Sequence, residues 1–102
     1  MKYILNTTFH VLSSLEEEML AWMKEKYVGR ALEQGIFSNP QIARVMTQVE
    51  DNAESFAVQL ATTDIVRGNE WLASDAFRLL EELRSKHGEN VLFFSTWLEV
   101  IS

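Results

Sequence analysis

YILNTTFHV, residues 3–11, is the stretch that decides the fold. Successive side chains of a β-strand point to opposite faces, so one face of this strand carries Tyr3, Leu5, Thr7, Phe9 and Val11 and the other carries Ile4, Asn6, Thr8 and His10. The first face is typical of a core. The second face lacks the charged side chains of an ordinary solvated strand, which predicts that it is partly covered and hydrogen-bonded.

Composition limits what the rest of the chain can be. The 102 residues suffice for one domain, residues 1–102, with one core. Nine Lys and Arg stand against fifteen Asp and Glu, a net charge of -6, so neither nucleic acid nor an anionic membrane is expected as a partner. The chain has no cysteine, which excludes disulfides, thiolate catalysis and sulfur-ligated metals. No apolar run approaches the roughly 20 residues of a membrane span, and no signal cleavage site follows residue 11. We therefore expect a mature cytoplasmic protein.

Five further elements follow the first strand. Ser13 or Ser14 can cap a helix whose first turn holds three glutamates and which ends near Gly35. Alternation then predicts two strands that form a hairpin, the periodicity of leucine predicts a second helix ending at Gly88, and the chain closes with a strand. The predicted ranges of these last four elements are 41–49, 55–61, 69–87 and 91–101. The order predicts an α+β, ferredoxin-like βαββαβ fold, a four-stranded antiparallel sheet with two helices on one face.

Two helices leave the other face of the sheet uncovered. The alternation assigns a helix-side layer of Leu5, Phe9, Val45, Phe56, Val58, Leu60, Phe94 and Leu98. It assigns to the uncovered face Ile4, Asn6, Thr8, His10, Ile42, Arg44, Met46, Ala57, Gln59, Phe93, Ser95, Trp97 and Glu99. The second set is too apolar for a small soluble monomer. It predicts a homodimer in which the two uncovered faces meet about a two-fold axis, with Arg44 paired to Glu99 across that axis.

Several segments resemble a known family. They are NTTFHV, LAWM, GIFS before ARVMTQVE, SFAVQ, and VLFFSTWLEVI at the end. Together they resemble a bacterial domain-of-unknown-function family, number 4286, over nearly the whole chain. The resemblance implies the ferredoxin-like fold but no established activity. That family looks related in shape to the dimeric α+β barrels, which include antibiotic-biosynthesis-type monooxygenases and haem-degrading enzymes.

The segment EWLASDAF, residues 70–77, is similar to a helix segment of those monooxygenases. The resemblance to the haem-degrading members implies an asparagine on the first strand, which Asn6 matches. It also implies a histidine about one turn beyond Phe77, where this chain has Glu81, and a tryptophan near the end of the third strand, where residues 61–63 supply none. These departures remove the axial ligand, so haem is not expected. No histidine or aspartate is spaced to complete a metal site with the three glutamates, and we expect no metal or other cofactor.

Candidate functional residues come from the predicted uncovered face. The ligand-binding candidates are Asn6, Thr8, His10, Arg44, Gln59 and Trp97, and the interface candidates are Ile4, Ile42, Met46, Phe93 and Glu99. Each also has an ordinary structural reading: polar side chains can satisfy one another within a covered sheet, a partly buried arginine needs an anion that Glu99 can supply, and aromatic residues are common in dimer interfaces.

Three hypotheses of function follow, and no catalytic residue is identified. The first is a homodimeric domain that binds a small ligand or a partner in a cavity between the sheets. The second is a cofactor-independent, monooxygenase-like enzyme acting on a small aromatic compound, with His10 or Arg44 as its polar participant. The third is a purely structural dimer. A filled space between the sheets favours the third, and an elongated apolar cavity that reaches His10 favours the second.

Overall fold

The computed structural model of the chain describes residues 1–47 and 50–102 and contains one four-stranded sheet. Its strands are β1 (Tyr3–Leu12), β2 (Ser38–Arg44), β3 (Ala53–Thr62) and β4 (Val91–Glu99). The order across the sheet is β2-β3-β1-β4, and all neighbours are antiparallel. The first strand is therefore central and pairs with β3 on one side and β4 on the other.

The first helix spans residues 16–32 after a short 3₁₀ turn, Ser13–Leu15. It is α-helical over Glu16–Trp22, π-helical over Met23–Val28 and α-helical again over Gly29–Leu32. Its buried side chains recur every four residues, at Met19, Met23, Tyr27 and Ala31. In a straight α-helix this repeat would rotate by about 40° at each step. The wider π turns reduce that rotation, and the four side chains stay on the sheet.

The second helix spans residues 65–87 and also contains a π segment. Its parts are Ile65–Trp71, Leu72–Ala76 and Phe77–His87. The predicted start at residue 69 is wrong, because Asp64 caps the helix by accepting a hydrogen bond from the backbone N–H of Arg67. Gly68 does not interrupt the helix. A Cβ at this position would lie 2.7 Å from Cη2 of Trp97, so glycine is what lets the helix approach that ring.

Both helices pack on one face of the sheet, where they bury the predicted core side of β1 and β3. The buried strand residues include Leu5, Thr7, Phe9, Val11, Phe56, Val58 and Leu60. The predicted ferredoxin-like fold is confirmed, and so are the two faces of β1. No helix in the described part of the chain is long and apolar enough to cross a membrane.

The predicted faces of β4 are wrong. Phe93 pairs with Phe9 and Trp97 pairs with Leu5, so both lie on the helix side, as do Ser95 and Glu99. The side chains on the other face are Leu92, Phe94, Thr96 and Leu98. Phe94 and Leu98, predicted to be in the core, are exposed.

The predicted strand at residues 41–49 lies too late in the chain. β2 begins at Ser38 and ends at Arg44, and a register shift lies between Ser38 and Gln41. Because Ile42 pairs with Val58 and Arg44 with Phe56, both belong to the helix side and not to the uncovered face. Val45 and Met46 follow the strand, and Met46 is 86% exposed. The predicted strand residues Gln48 and Val49 lie outside the described residues.

Candidate functional site

The face of the sheet opposite the helices, here called the uncovered face, carries no permanent charge on any strand residue that the structure describes. Its side chains are Ile4, Asn6, Thr8, His10 and Leu12 of β1, Ser38, Gln41 and Ala43 of β2, Ala53, Ser55, Ala57, Gln59 and Ala61 of β3, and Leu92, Phe94, Thr96 and Leu98 of β4. None of them is Asp, Glu, Lys or Arg, although 24% of the chain is charged. An ordinary solvated sheet face would carry such residues.

Large and small side chains are separated across this face. On the edge strand β4, Leu92, Phe94 and Leu98 are 53%, 62% and 41% exposed and form what we call the apolar ridge. On the other half of the sheet, small side chains, those of Ala43, Ala57 and Ala61, alternate with Gln41 and Gln59, and the surface is lower at the alanines. The uncovered face is therefore raised along one edge and hollow beside the opposite one.

A row of hydrogen-bonded polar side chains, here called the polar row, crosses the middle of the face. The amide nitrogen of Gln59 donates to the Asn6 side-chain oxygen at 3.2 Å, and Nδ2 of Asn6 donates to Thr8 Oγ1 at 3.3 Å. Asn6 and Gln59 are register partners, which is why their carboxamides meet. A carboxamide offers two N–H donors and one carbonyl acceptor, and a hydroxyl both donates and accepts. These bonds use only part of that capacity, so the row can bind a further polar group.

His10 lies at one end of the face between two polar partners. Its Nδ1 is 2.7 Å from Ser55 Oγ, on the residue paired with it across β1 and β3. Its Nε2 is 3.8 Å from Glu50 Oε1. At the other end of the face, a pocket of about 180 Å³ is lined by Lys2, Ile4, Asn39, Gln41, Gln59, Leu60 and Ala61.

The structure brings together some of the residues predicted from the sequence. Asn6, Thr8, His10 and Gln59 lie side by side on the uncovered face, with Ile4 on the same strand. Trp97, predicted to be with them, lies on the opposite face. Its indole N–H donates to Oδ1 of Asn69 in the second helix at 2.8 Å, and its ring stacks on Phe37.

Arg44 also lies away from this site and has its partners within the chain. Its guanidinium donates to both carboxylate oxygens of Glu16 at 3.1 and 2.9 Å and to Glu54. The hydrogen bond from Arg44 lowers the pKa of Glu16. The predicted pair between Arg44 and Glu99 across a two-fold axis is therefore wrong.

The sequence did not reveal a second polar cluster, which lies beneath the helices. Oγ1 of Thr7 is 2.8 Å from the Tyr27 hydroxyl and 2.9 Å from Ser95 Oγ. Burial raises the pKa of Tyr27. The available signals were a threonine on the core face of β1 and a tyrosine in the apolar stripe of a helix, and each is compatible with many other packings. Among the described residues, no group of three or more His, Asp or Glu could hold a metal ion.

Solved structures with the same architecture share little sequence with this chain. HapK from Hahella chejuensis is 12% identical with a TM-score of 0.68, and the alignment covers 99% of this chain and 93% of that one. A candidate antibiotic biosynthesis monooxygenase from Bacillus cereus is 15% identical with a TM-score of 0.57, covering 99% and 96%. A dimeric ferredoxin-like protein from an uncultured marine organism is 14% identical with a TM-score of 0.59, covering 97% and 95%. At these identities the likeness concerns the fold alone.

The family of the chain is clear. No curated protein matches the sequence significantly. Residues 2–101 match the family described as Domain of unknown function (DUF4286). The match spans almost the whole chain, and the chain therefore belongs to this family.

Proposed function

We propose that this DUF4286 domain forms a homodimer through the uncovered faces of two sheets and binds a small uncharged molecule between them. The observation that carries the proposal is the absence of Asp, Glu, Lys and Arg among the strand residues of that face. Burying a charged group costs several kcal/mol unless it is paired. A face without such groups avoids this cost when a second protein layer covers it.

The shape of the face supports a second copy as that layer. A two-fold axis that runs parallel to the strands, between two facing sheets, places β4 of each copy over β2 of the other. The apolar ridge of one copy then lies over β2 of its partner, with Phe94 over Ala43 and Leu98 over Ser38. The same contact occurs twice, as an isologous interface requires. Leu92, Phe94 and Leu98 leave water in this arrangement, which favours association. A structural neighbour described as dimeric lends further support.

The same operation places β1 over β3, so the two polar rows face each other at the centre of the dimer. Buried polar groups are almost always hydrogen-bonded. The remaining donors and acceptors of Asn6, Thr8 and Gln59 therefore need partners between the sheets. A small molecule with carbonyl or hydroxyl groups can supply them, and the lack of a strand-borne charge favours a neutral one.

Sedimentation velocity at micromolar concentration tests the dimer. We expect the wild-type chain to sediment as a dimer and Phe94→Glu as a folded monomer, because the new carboxylate would be buried without a partner. Phe77→Glu is the matched control, since Phe77 is similarly exposed but lies on the second helix. A wild-type monomer, or a Phe94→Glu dimer, would contradict the proposal.

Native mass spectrometry of dimer purified from the producing cells tests ligand binding. We expect a retained small molecule, and we expect Gln59→Leu to lose it while remaining a dimer, because the substitution removes a hydrogen-bonding end of the polar row. An apo-dimer in the wild type would support a purely structural role instead. The readouts are independent, so a failure of ligand binding is distinguishable from a failure of the dimer.

A further inference from the structure

We propose that Ser55 is a nucleophile activated by His10, and that the charge of Glu50 acts on the His10 ring. This trio cleaves small carboxylic esters with an uncharged acyl group. The proposal goes beyond the proposed dimer and does not depend on it. It rests on the two distances from the His10 ring and on the absence of charged strand residues on this face.

The hydrogen-bond geometry suits proton transfer from the serine. The Ser55 Oγ–His10 Nδ1 distance of 2.7 Å is that of a good hydrogen bond. When Nδ1 accepts the hydroxyl proton, the other proton of the neutral ring lies on Nε2, which faces Glu50 at 3.8 Å. That separation is too long for a hydrogen bond, so Glu50 acts through its charge. It favours the tautomer with the proton on Nε2 and stabilises the imidazolium that forms when Ser55 reacts.

On a single chain the trio is accessible, and in the proposed dimer it lies at one end of the space between the sheets, where a substrate enters from that end. The side chains of His10 and Glu50 are 31% and 67% exposed. Along the neighbouring strand, His10 pairs with Leu92 and Thr8 pairs with Phe94. The apolar ridge lies two strands from Ser55, about 10 Å away across β1. An acyl group that carried a charge would find no opposite charge among the strand residues of this face.

The reaction follows the usual course of acyl transfer. Oγ of Ser55 bonds to the ester carbonyl carbon while its proton passes to Nδ1 of His10. The bond to the alkoxy oxygen breaks, and the leaving alcohol takes that proton. Water then attacks the acyl-serine and gives one proton to His10. The ester bond to Ser55 breaks, the carboxylic acid departs, and Ser55 recovers its proton.

Covalent labelling of the full-length chain with an alkyl fluorophosphonate tests the nucleophile. We expect one adduct per chain by intact mass, mapped to Ser55 by peptide mass spectrometry. We expect His10→Gln to slow the labelling by about 100-fold or more, in the range contributed by general bases. Ser38 is an internal control, because it lies on the same face but at the opposite end of β3 from His10. Circular dichroism checks that each variant is folded.

Ester hydrolysis gives a second readout. We expect the wild type, but not Ser55→Ala, to hydrolyse p-nitrophenyl butyrate, and to prefer it over p-nitrophenyl succinate, whose acyl group is anionic. Glu50→Gln should slow both labelling and hydrolysis, because the charge of Glu50 acts on the His10 ring, and should weaken the preference, because the same charge repels an anionic acyl group. Absence of a Ser55 adduct in the wild type, or equal labelling in folded His10→Gln, would overturn the proposal.

Discussion

The Tyr27 hydroxyl, bonded to Thr7 in the core, gives the chain a pH dependence at the alkaline end. Burial raises its pKa above the ordinary value of 10.0, so the folded chain holds this proton more tightly than the unfolded chain does. The resulting stability is fully present below pH 10.0 and is lost as the pH rises through the folded-state pKa. We expect the free energy of unfolding to fall above this pH more steeply in the wild type than in Tyr27→Phe.

Urea unfolding at a series of alkaline pH values measures this difference. At neutral pH, Tyr27→Phe should cost about 1 kcal/mol, the usual contribution of one hydrogen bond. Thr7 keeps its contact with Ser95 in that variant, so no polar group is stranded. If the Tyr27 phenol ionised over the same pH range in folded and urea-unfolded protein, the account of its burial would be wrong.

The sheet face on which Trp97 lies could not be predicted from the alternation of β4 alone. Residues 91–98 have large apolar side chains at both odd and even positions, so alternation alone does not fix which set faces the helices. The decisive facts belong to another element. Gly68 leaves room for the ring, and Asn69 accepts the indole hydrogen bond. The sequence correctly placed Asn6, Thr8, His10 and Gln59 on the uncovered face, because only one face of β1 and of β3 is strongly apolar.

Among the elements, the second helix depends on its cap. Asp64 ends a turn in which its own backbone N–H donates to Thr62 Oγ1 and its carboxylate accepts from Arg67 N–H. We expect Asp64→Ala to lower the free energy of unfolding by about 1 kcal/mol, the typical cost of losing an N-cap. Chemical denaturation measures the change.

Asp64→Asn is the matched control, because asparagine caps helices about as well as aspartate. It should restore most of the stability that alanine loses. Equal losses in both variants would show that the charge, and not the cap, is what matters. The sequence predicted that this helix begins only at residue 69, because a glycine at position 68 disfavours a helix interior. The packing of Gly68 against Trp97 joins distant parts of the chain, so the local sequence did not predict it.

The strand β2 and the two π segments show a further limit at this scale. The register shift between Ser38 and Gln41, with Asn39 at a φ of 49°, changes which residues of β2 face the helices. A bulge of this kind leaves little trace in a pattern of apolar residues. The π segments likewise extend the spacing of buried side chains, from Trp71 to Ala76 in the second helix. The fold was predictable because the order of the elements and the alternation of side chains in the central strand β1 do not depend on such local shifts.

For the whole molecule, the proposed dimer makes thermal stability depend on protein concentration. When a dimer unfolds to two separate chains, each tenfold rise in concentration stabilises it by about 1.4 kcal/mol, shared between the two chains. For a domain of this size we expect the unfolding midpoint to rise by about 3 to 6 °C per tenfold rise in concentration. Differential scanning calorimetry over two decades of concentration resolves such a slope.

The same measurement tests whether the uncovered face, and not another part of the surface, forms the dimer interface. Phe94→Glu should give a midpoint that does not change with concentration, because the separated chains keep the core beneath the helices. Phe77→Glu should keep the wild-type slope, since its side chain lies on the second helix and takes no part in the contact between sheets. A wild-type unfolding midpoint that is independent of concentration would mean that the protein is a monomer, with the uncovered face and the apolar ridge exposed to water.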